Sequence, residues 1–181
     1  MKLYHIDRNG FLNEGQEVNL IKKFATEKMQ TEDYFQEGLS SHGIHYFTND
    51  AVNKDYLIDA VFEYERMINF PEKLSRFQAF YCFDKDGIKD FVEKKLLEDN
   101  FYKIYEINVS KEQYERHNMS LVKGWSFQSL VKYARLYWQD KPDPFKKDAP
   151  IIYEYLVKLP VTIGKEIKLS EIIKQKRKKD K

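Results

Sequence analysis

The spacing of the apolar residues switches between two and three-to-four along this chain without settling into a repeat, and that irregular order narrows the fold more than any other feature. Lys2 to Asp7 alternates, with Tyr4 and Ile6 facing one way and Leu3 and His5 the other, until Arg8-Asn9-Gly10 breaks the run. Glu17 to Met29 has helical spacing at Val18, Ile21, Phe24 and Ala25, and Phe35 to Gly43 has the Gly, Ser and His content of a loop. Asn53 to Asn69 reads as a helix whose stripe is Tyr56, Leu57, Ala60, Val61, Tyr64 and Ile68, ended by Phe70-Pro71. Arg76 to Phe83 has the short, aromatic composition of a buried strand, and Asp86 is positioned to cap a helix over Gly87 to Leu97. Tyr102 to Val109 alternates again, and Ser126 to Gln139 reads as an aromatic helix followed by a Pro142-Asp143-Pro144 loop. Ile151 to Ile163 supplies one or two strands broken at Pro160, and Leu169 to Ile173 is a last apolar patch. Strands that do not alternate evenly with helices predict a mixed α+β domain rather than a βαβ array.

Length and composition set the outer bounds. With 181 residues, 42% hydrophobic and 33% charged, the chain reads as one globular domain over 1–173. Its single cysteine, Cys82, excludes an intramolecular disulfide and any multi-cysteine zinc cage, and its place in an apolar strand pattern assigns it to the core. No run approaches the ~20 apolar residues of a membrane span, and the first residues lack the apolar core of a signal peptide, so a soluble cytoplasmic protein without a membrane partner is expected. Residues 174–181 form a basic tail, expected to be disordered, with six cations against one acid. The rest of the chain therefore carries a net −3 against a whole-chain +2. Such a tail serves either as a solvated terminus or as a contact for nucleic acid or an anionic surface.

Familiar catalytic strings are absent: no Walker phosphate loop, no Gly-x-Gly-x-x-Gly, no His-Glu-x-x-His and no Gly-x-Ser-x-Gly. His42-Gly-Ile-His45 is at most half of a metal site, so no metal is expected, and His117 reads as a loop residue. Trp125, Tyr133, Arg135, Tyr137 and Trp138 mix stacking surfaces with basic groups, a composition found both in helix packing and in single-strand nucleic-acid grooves.

Three separated segments carry the strongest chemical signal. They are Leu3-Tyr4-His5-Ile6, then Ser75-Arg76-Phe77-Gln78-Ala79-Phe80-Tyr81-Cys82-Phe83, then Tyr153-Glu154-Tyr155-Leu156-Val157. Glu154 stands out because an acid among aromatic and aliphatic neighbours is either paired in the interior or exposed on an edge strand. On a strand it shares a face with Leu156, opposite Tyr153, Tyr155 and Val157.

Together these segments resemble the ADP-ribosyltransferase superfamily, whose diphtheria-toxin-like branch takes a His, a Tyr and a Glu from three strands. Ala-Phe-Tyr-Cys-Phe-Asp around Tyr81 is similar to the Gly-Ile-Tyr-Phe-Ala of poly(ADP-ribose) polymerases, and Tyr-Glu-Tyr-Leu-Val around Glu154 to their Asn-Glu-Tyr-Ile-Val. The string after His5 departs from theirs, since Ile6 and Asp7 follow it. Tyr-His-Ile-Asp-Arg, Gly-x-Ser-x-His-Gly, Phe-Pro-x-Lys-x-Ser-Arg-Phe-Gln, Arg-His-Asn-Met and Tyr-Trp also resemble a family of uncharacterised bacterial and phage proteins over most of residues 3 to 163.

The resemblance implies a split, twisted, mainly antiparallel sheet with flanking helices, NAD as substrate, and transfer of ADP-ribose to a macromolecular acceptor, DNA or RNA or a protein. It implies Glu154 and Arg76 as catalytic residues and His5, Tyr81, Arg76 and Ser75 as NAD-binding residues. Glu154 would stabilise positive charge on the ribose, His5 would hydrogen-bond the adenosine ribose, Tyr81 would cover the nicotinamide, and Arg76 would fork onto the pyrophosphate. Two alternatives stay open: a phosphate-transferring enzyme acting on RNA ends, and a non-catalytic nucleic-acid-binding or regulatory protein on the same fold. Toxin and phage-defence roles both suit such chemistry.

Overall fold

In the computed structural model, which describes residues 1–22, 35–48, 54–91, 102–145 and 151–174, seven strands and five α-helices follow one another in the irregular order of the apolar pattern. Strand β1 (Lys2–Asp7) alternates as expected; its partner is β4 (Lys103–Asn108), antiparallel, with His5 opposite Tyr105. Strands β3 (Ala79–Cys82) and β5 (Tyr114–Asn118) flank β6 (Tyr153–Lys158) in a second antiparallel sheet. Its register sets Tyr81 opposite Leu156 and His117 opposite Glu154. A bridge between Tyr4 and Phe83, closed by two backbone hydrogen bonds of 2.8 Å, lays β1 alongside the chain leaving β3. A third, two-stranded sheet joins β2 (Glu17–Val18) to β7 (Val161–Thr162).

Helices cover the strands. On one side, Leu3, Phe80, Cys82, Tyr105, Ile107, Tyr155 and Val157 form a core between sheets. On the other, Leu156 packs under α2 (Lys54–Asn69) and α4 (Phe127–Trp138) through Ile58, Phe62, Leu130, Tyr133, Tyr137 and Trp138. A third cluster joins Tyr4, Ile6 and Phe83 to Ile88 of α3 (Lys85–Phe91) and Ile172 of α5 (Leu169–Lys174). The first helix, α1 (Ser41–Thr48), sits over a small core of Phe35, Leu39 and Phe77. The protein is thus a mixed α+β fold of small antiparallel sheets with flanking helices. Among the described residues, no helix is long and apolar enough to cross a membrane.

Tertiary pairing overrides local spacing at several points. Glu17–Val18 is a strand rather than the start of a helix, because β7 offers a ladder, and Ile21 bridges to Leu39. The remainder of that expected helix, from residue 23, lies outside the described residues, as does the stretch of the expected Gly87–Leu97 helix beyond residue 91. The loop expected through Gly43 ends at Ser40, where α1 begins. Asp84, not Asp86, caps α3, its carboxylate accepting from the Gly87 N–H at 2.7 Å. His117 lies on β5 rather than in a loop. Helix α2 is present and Val61 of its expected stripe is buried, but the face is turned: Leu57, Tyr64 and Ile68 are exposed, while Ile58, Asp59, Phe62, Glu63 and Glu65 are buried. Asp59 and Glu65 have basic partners elsewhere in the chain, Arg76 and Arg135, while Glu63 pairs with Arg66 of the same helix, and the two long-range pairs, absent from an apolar count, help choose the face.

Candidate functional site

Glu154 sits on the central strand of its sheet and is 2% exposed, so it occupies the interior and not an edge. Strand alternation and the opposition of Tyr81 to Leu156 put Tyr81 and Glu154 on one face, under α2 and α4. A buried carboxylate needs hydrogen-bonding partners. Here the Arg76 Nη1 and the Tyr137 hydroxyl (2.8 Å) both donate to Glu154 Oε1, and Arg76 Nη1 also donates to the Tyr137 oxygen at 3.0 Å. Arg76 Nε donates to Asp59 Oδ1 at 2.8 Å. The Tyr81 hydroxyl donates to the Arg76 carbonyl at 3.0 Å, and the guanidinium carbon stands 5.2 Å from the Tyr81 ring centre and 5.3 Å from that of Tyr137.

Two carboxylates therefore share one guanidinium, and the cluster of Asp59, Arg76 and Glu154 has an excess of one negative charge. Burial works against the Arg76 charge, but Glu154, Tyr81 and Asp59 outweigh it and hold its pKa well above the ordinary value. Burial likewise drives the Tyr81 and Tyr137 hydroxyls well above the ordinary phenol range, Arg76 opposing it and Glu154 adding to it. Tyr137 is supported from behind by His117, stacked on its ring at 4.5 Å; the two His117 nitrogens face the Tyr137 carbonyl and the Glu115 carboxylate.

Each residue expected from the sequence can now be placed. Tyr81, Arg76 and Glu154 come together. Arg76 lies in the turn before β3, not at a strand start, and its ion pairs are buried rather than at the surface. Its Nε donates to Asp59 and its Nη1 to Glu154 and Tyr137, so it holds the Glu154 carboxylate in place. Ser75 is buried, and its hydroxyl accepts from the Phe77 N–H at 3.0 Å, which shapes that turn. His5 is on β1, next to β3, but on the opposite face from Tyr81 and Glu154: its ring stacks on Phe80 at 4.1 Å and Nδ1 donates to the Tyr81 carbonyl at 2.7 Å. Burial lowers its pKa despite that bond. Cys82 is buried, and burial alone pushes its thiol well up.

Reading the sequence did not single out Asp59, Tyr137 as a Glu154 partner, or His42 outside a metal site. Asp59 and Tyr137 each occur within helical patterns, and nothing local tells their direction. His42 had a signal, the glycine that follows it. A Cβ on Gly43 would stand 1.9 Å from the Phe77 carbonyl oxygen, so α1 must approach the chain before β3 without one. That approach sets the His42 ring 4.4 Å from Tyr81 and 4.4 Å from Tyr46.

A second feature lies at the other end of α4. Trp125, Phe127 and Phe145 are 76%, 67% and 68% exposed, and Lys132 stands 4.2 Å from the Phe145 ring centre. Lys123 stands 4.7 Å from the ring centre of Tyr133, which itself meets Trp125 edge-on. Tyr137 and Trp138 of the same helix are buried, and Arg135 pairs with Glu65.

In comparisons with known proteins, the model of the family described as "Protein of unknown function (DUF2441)" matches residues 3–169. No protein with a curated description matches the chain.

Proposed function

The chain belongs to the DUF2441 family, whose description assigns no reaction, and from the site itself we propose that it is an NAD-dependent ADP-ribosyltransferase on a split-sheet fold of the kind the ADP-ribosyltransferases use. The observation that carries this reading is the meeting of Tyr81 and Glu154 on one face of adjacent strands, with the carboxylate anchored by Arg76 and Tyr137. In the reaction, the bond between nicotinamide and ribose C1 breaks and its electron pair leaves with nicotinamide. The acceptor's nucleophile bonds to C1 and gives up its proton. Positive charge grows on the sugar meanwhile, and a preorganised site with excess negative charge is the environment that lowers its energy. Glu154 faces the sugar, Arg76 and Tyr137 position it, and Tyr81 covers the nicotinamide with its ring. The acceptor is a macromolecule.

The test is incubation of the purified protein with NAD labelled in the nicotinamide ring, over DNA, RNA and protein acceptors. Nicotinamide release is expected, and Glu154→Gln should cut it by on the order of a hundred- to a thousandfold. No release with any acceptor, together with no effect of the substitution, overturns the reading.

A second reading, a nucleic-acid-binding protein without catalysis, draws on exposed Trp125, Phe127 and Phe145 beside Lys123 and Lys132. Rings interleaved with cations suit unpaired bases on a phosphate backbone. Salt-dependent binding of single-stranded RNA or DNA, lost on Trp125→Ala, with no heat on adding NAD, selects it over the enzyme.

A further inference from the structure

Helix α2 is built inside out. Asp59, Glu63 and Glu65 are buried, while every exposed position from 57 to 68 carries an aliphatic, thioether or aromatic side chain: Leu57, Ala60, Tyr64, Met67 and Ile68. With exposed Pro71 just beyond the helix end, these residues fall in a stripe about 100° wide, the width that an amphipathic helix ordinarily turns toward a core. A scattered apolar residue on a surface needs no explanation, but a contiguous stripe marks a contact. The exposed rings at the start of α4 stand beside lysines, whereas this stripe has no cation within it. An anionic partner has nothing to meet here, and an apolar one does.

The spacing identifies that partner as a second copy of the chain. Tyr64 is the centre of an arrangement that reads alike in both directions: Ala60 and Ile68 lie four positions to either side, Leu57 and Pro71 seven. Two copies of α2 crossing antiparallel at Tyr64 set small Ala60 against large Ile68 of the second copy, and Leu57 against its Pro71, in a heptad-like seam. Charges at the rim obey the same symmetry. Asp55 precedes Tyr64 by nine positions and Lys73 follows it by nine, so opposite signs face each other at both ends. Arg66 holds the turn carrying Lys73 against the helix end, its Nη1 donating to the carbonyls of Pro71 at 3.3 Å and Lys73 at 3.0 Å. A parallel pairing would instead place Asp55 on Asp55 and set the two helix dipoles side by side in the same sense. Leu57, Tyr64, Met67 and Ile68 are between 44% and 60% exposed, so two such faces cover roughly 1,000 Å² in total, the lower bound for a specific interface.

We infer that the protein forms a reversible two-fold dimer through the outer face of α2, with Tyr64 on the axis. The inference is independent of the NAD-dependent reading. It bears on the site all the same, because the helix braced in this way is the one that holds Asp59 on Arg76.

The experiment is sedimentation equilibrium of the full chain over a range of concentrations. The natural chain should approach twice its 21.8 kDa mass as concentration rises. Tyr64→Glu, which brings two like charges onto the axis, should raise the dissociation constant about a hundredfold, and Leu57→Ser and Ile68→Ser each about tenfold. In dilute monomer, where this face meets water, the same substitutions should leave the urea midpoint in place. Asp55→Lys should weaken the dimer, and adding Lys73→Asp should restore it. A short bismaleimide linker reads the orientation, since the natural Cys82 is buried. Tyr64→Cys should link to its own copy, whereas Leu57→Cys, standing roughly 21 Å from its copy along the axis, should not. A monomer at every concentration, a dimer indifferent to Tyr64→Glu, or linkage at position 57 without linkage at 64 overturns the inference. The mass of the natural chain can do so alone, whether or not a variant folds.

Discussion

Arg76 is wedged between Asp59 and Glu154, and its removal leaves two buried carboxylates without a counter-ion. Arg76→Met should therefore cost about 3–5 kcal/mol in urea unfolding, far more than loss of a surface pair. Combining it with Asp59→Leu and Glu154→Leu should recover most of that stability, because no uncompensated charge then remains. Titration of His42 gives a second test at this scale. Its folded pKa of about 4 lies below the unfolded value near 6.5, so the unfolded chain binds the extra proton between these pH values. The neutral ring's contribution is fully present above about pH 6.5 and is lost as pH falls toward 4, by as much as about 3 kcal/mol. Urea midpoints at pH 7.5 and pH 5 should differ less in His42→Phe than in the natural chain. Of these residues, Glu154 was the most legible beforehand, since an acid within Tyr-Glu-Tyr-Leu-Val demands an explanation wherever it lies. Asp59 carried no such mark, being one acid among several on a helix.

Helix α2 shows how an element can be identified and still be turned the wrong way. Its period is plain, but the stripe through Leu57, Tyr64 and Ile68 is the exposed one. The buried face combines Ile58, Val61 and Phe62 with acids that meet Arg76 and Arg135. Phe62→Ala should cost about 3–5 kcal/mol, whereas Leu57→Ser and Ile68→Ser should change stability by no more than about 0.5 kcal/mol. Equal losses from both faces in thermal or urea unfolding would contradict the orientation. Helix α4 was legible to its ends because its boundary signal is local. The Ser126 hydroxyl accepts from the Ser129 N–H, and Ser126→Ala should cost about 1 kcal/mol by the same measurement.

At the scale of the molecule, β1 is the strand on which the two main sheets meet, pairing with β4 along its length and bridging to Phe83 through Tyr4. Deleting residues 1–7 removes Leu3, Tyr4 and Ile6 from two cores at once and should abolish the cooperative urea transition together with the near-ultraviolet signal of the packed aromatics. By itself the sequence determined the mixed α+β class, the alternation within β1, β4 and β6, the limits of α4 and the anomaly of an acid at Glu154. All of these are set by neighbours a few positions apart, through pleat, helical turn and cap. The tertiary structure alone decided which face of α2 is buried, that His5 points away from Tyr81 and Glu154, and that His42, Asp59 and Tyr137 surround them. These outcomes depend on charges and rings far apart in the chain, with Asp59 and Arg76 separated by 17 positions and Arg76 and Glu154 by 78. Only folding brings such partners close enough for the cost of burying a charge to select one arrangement over another.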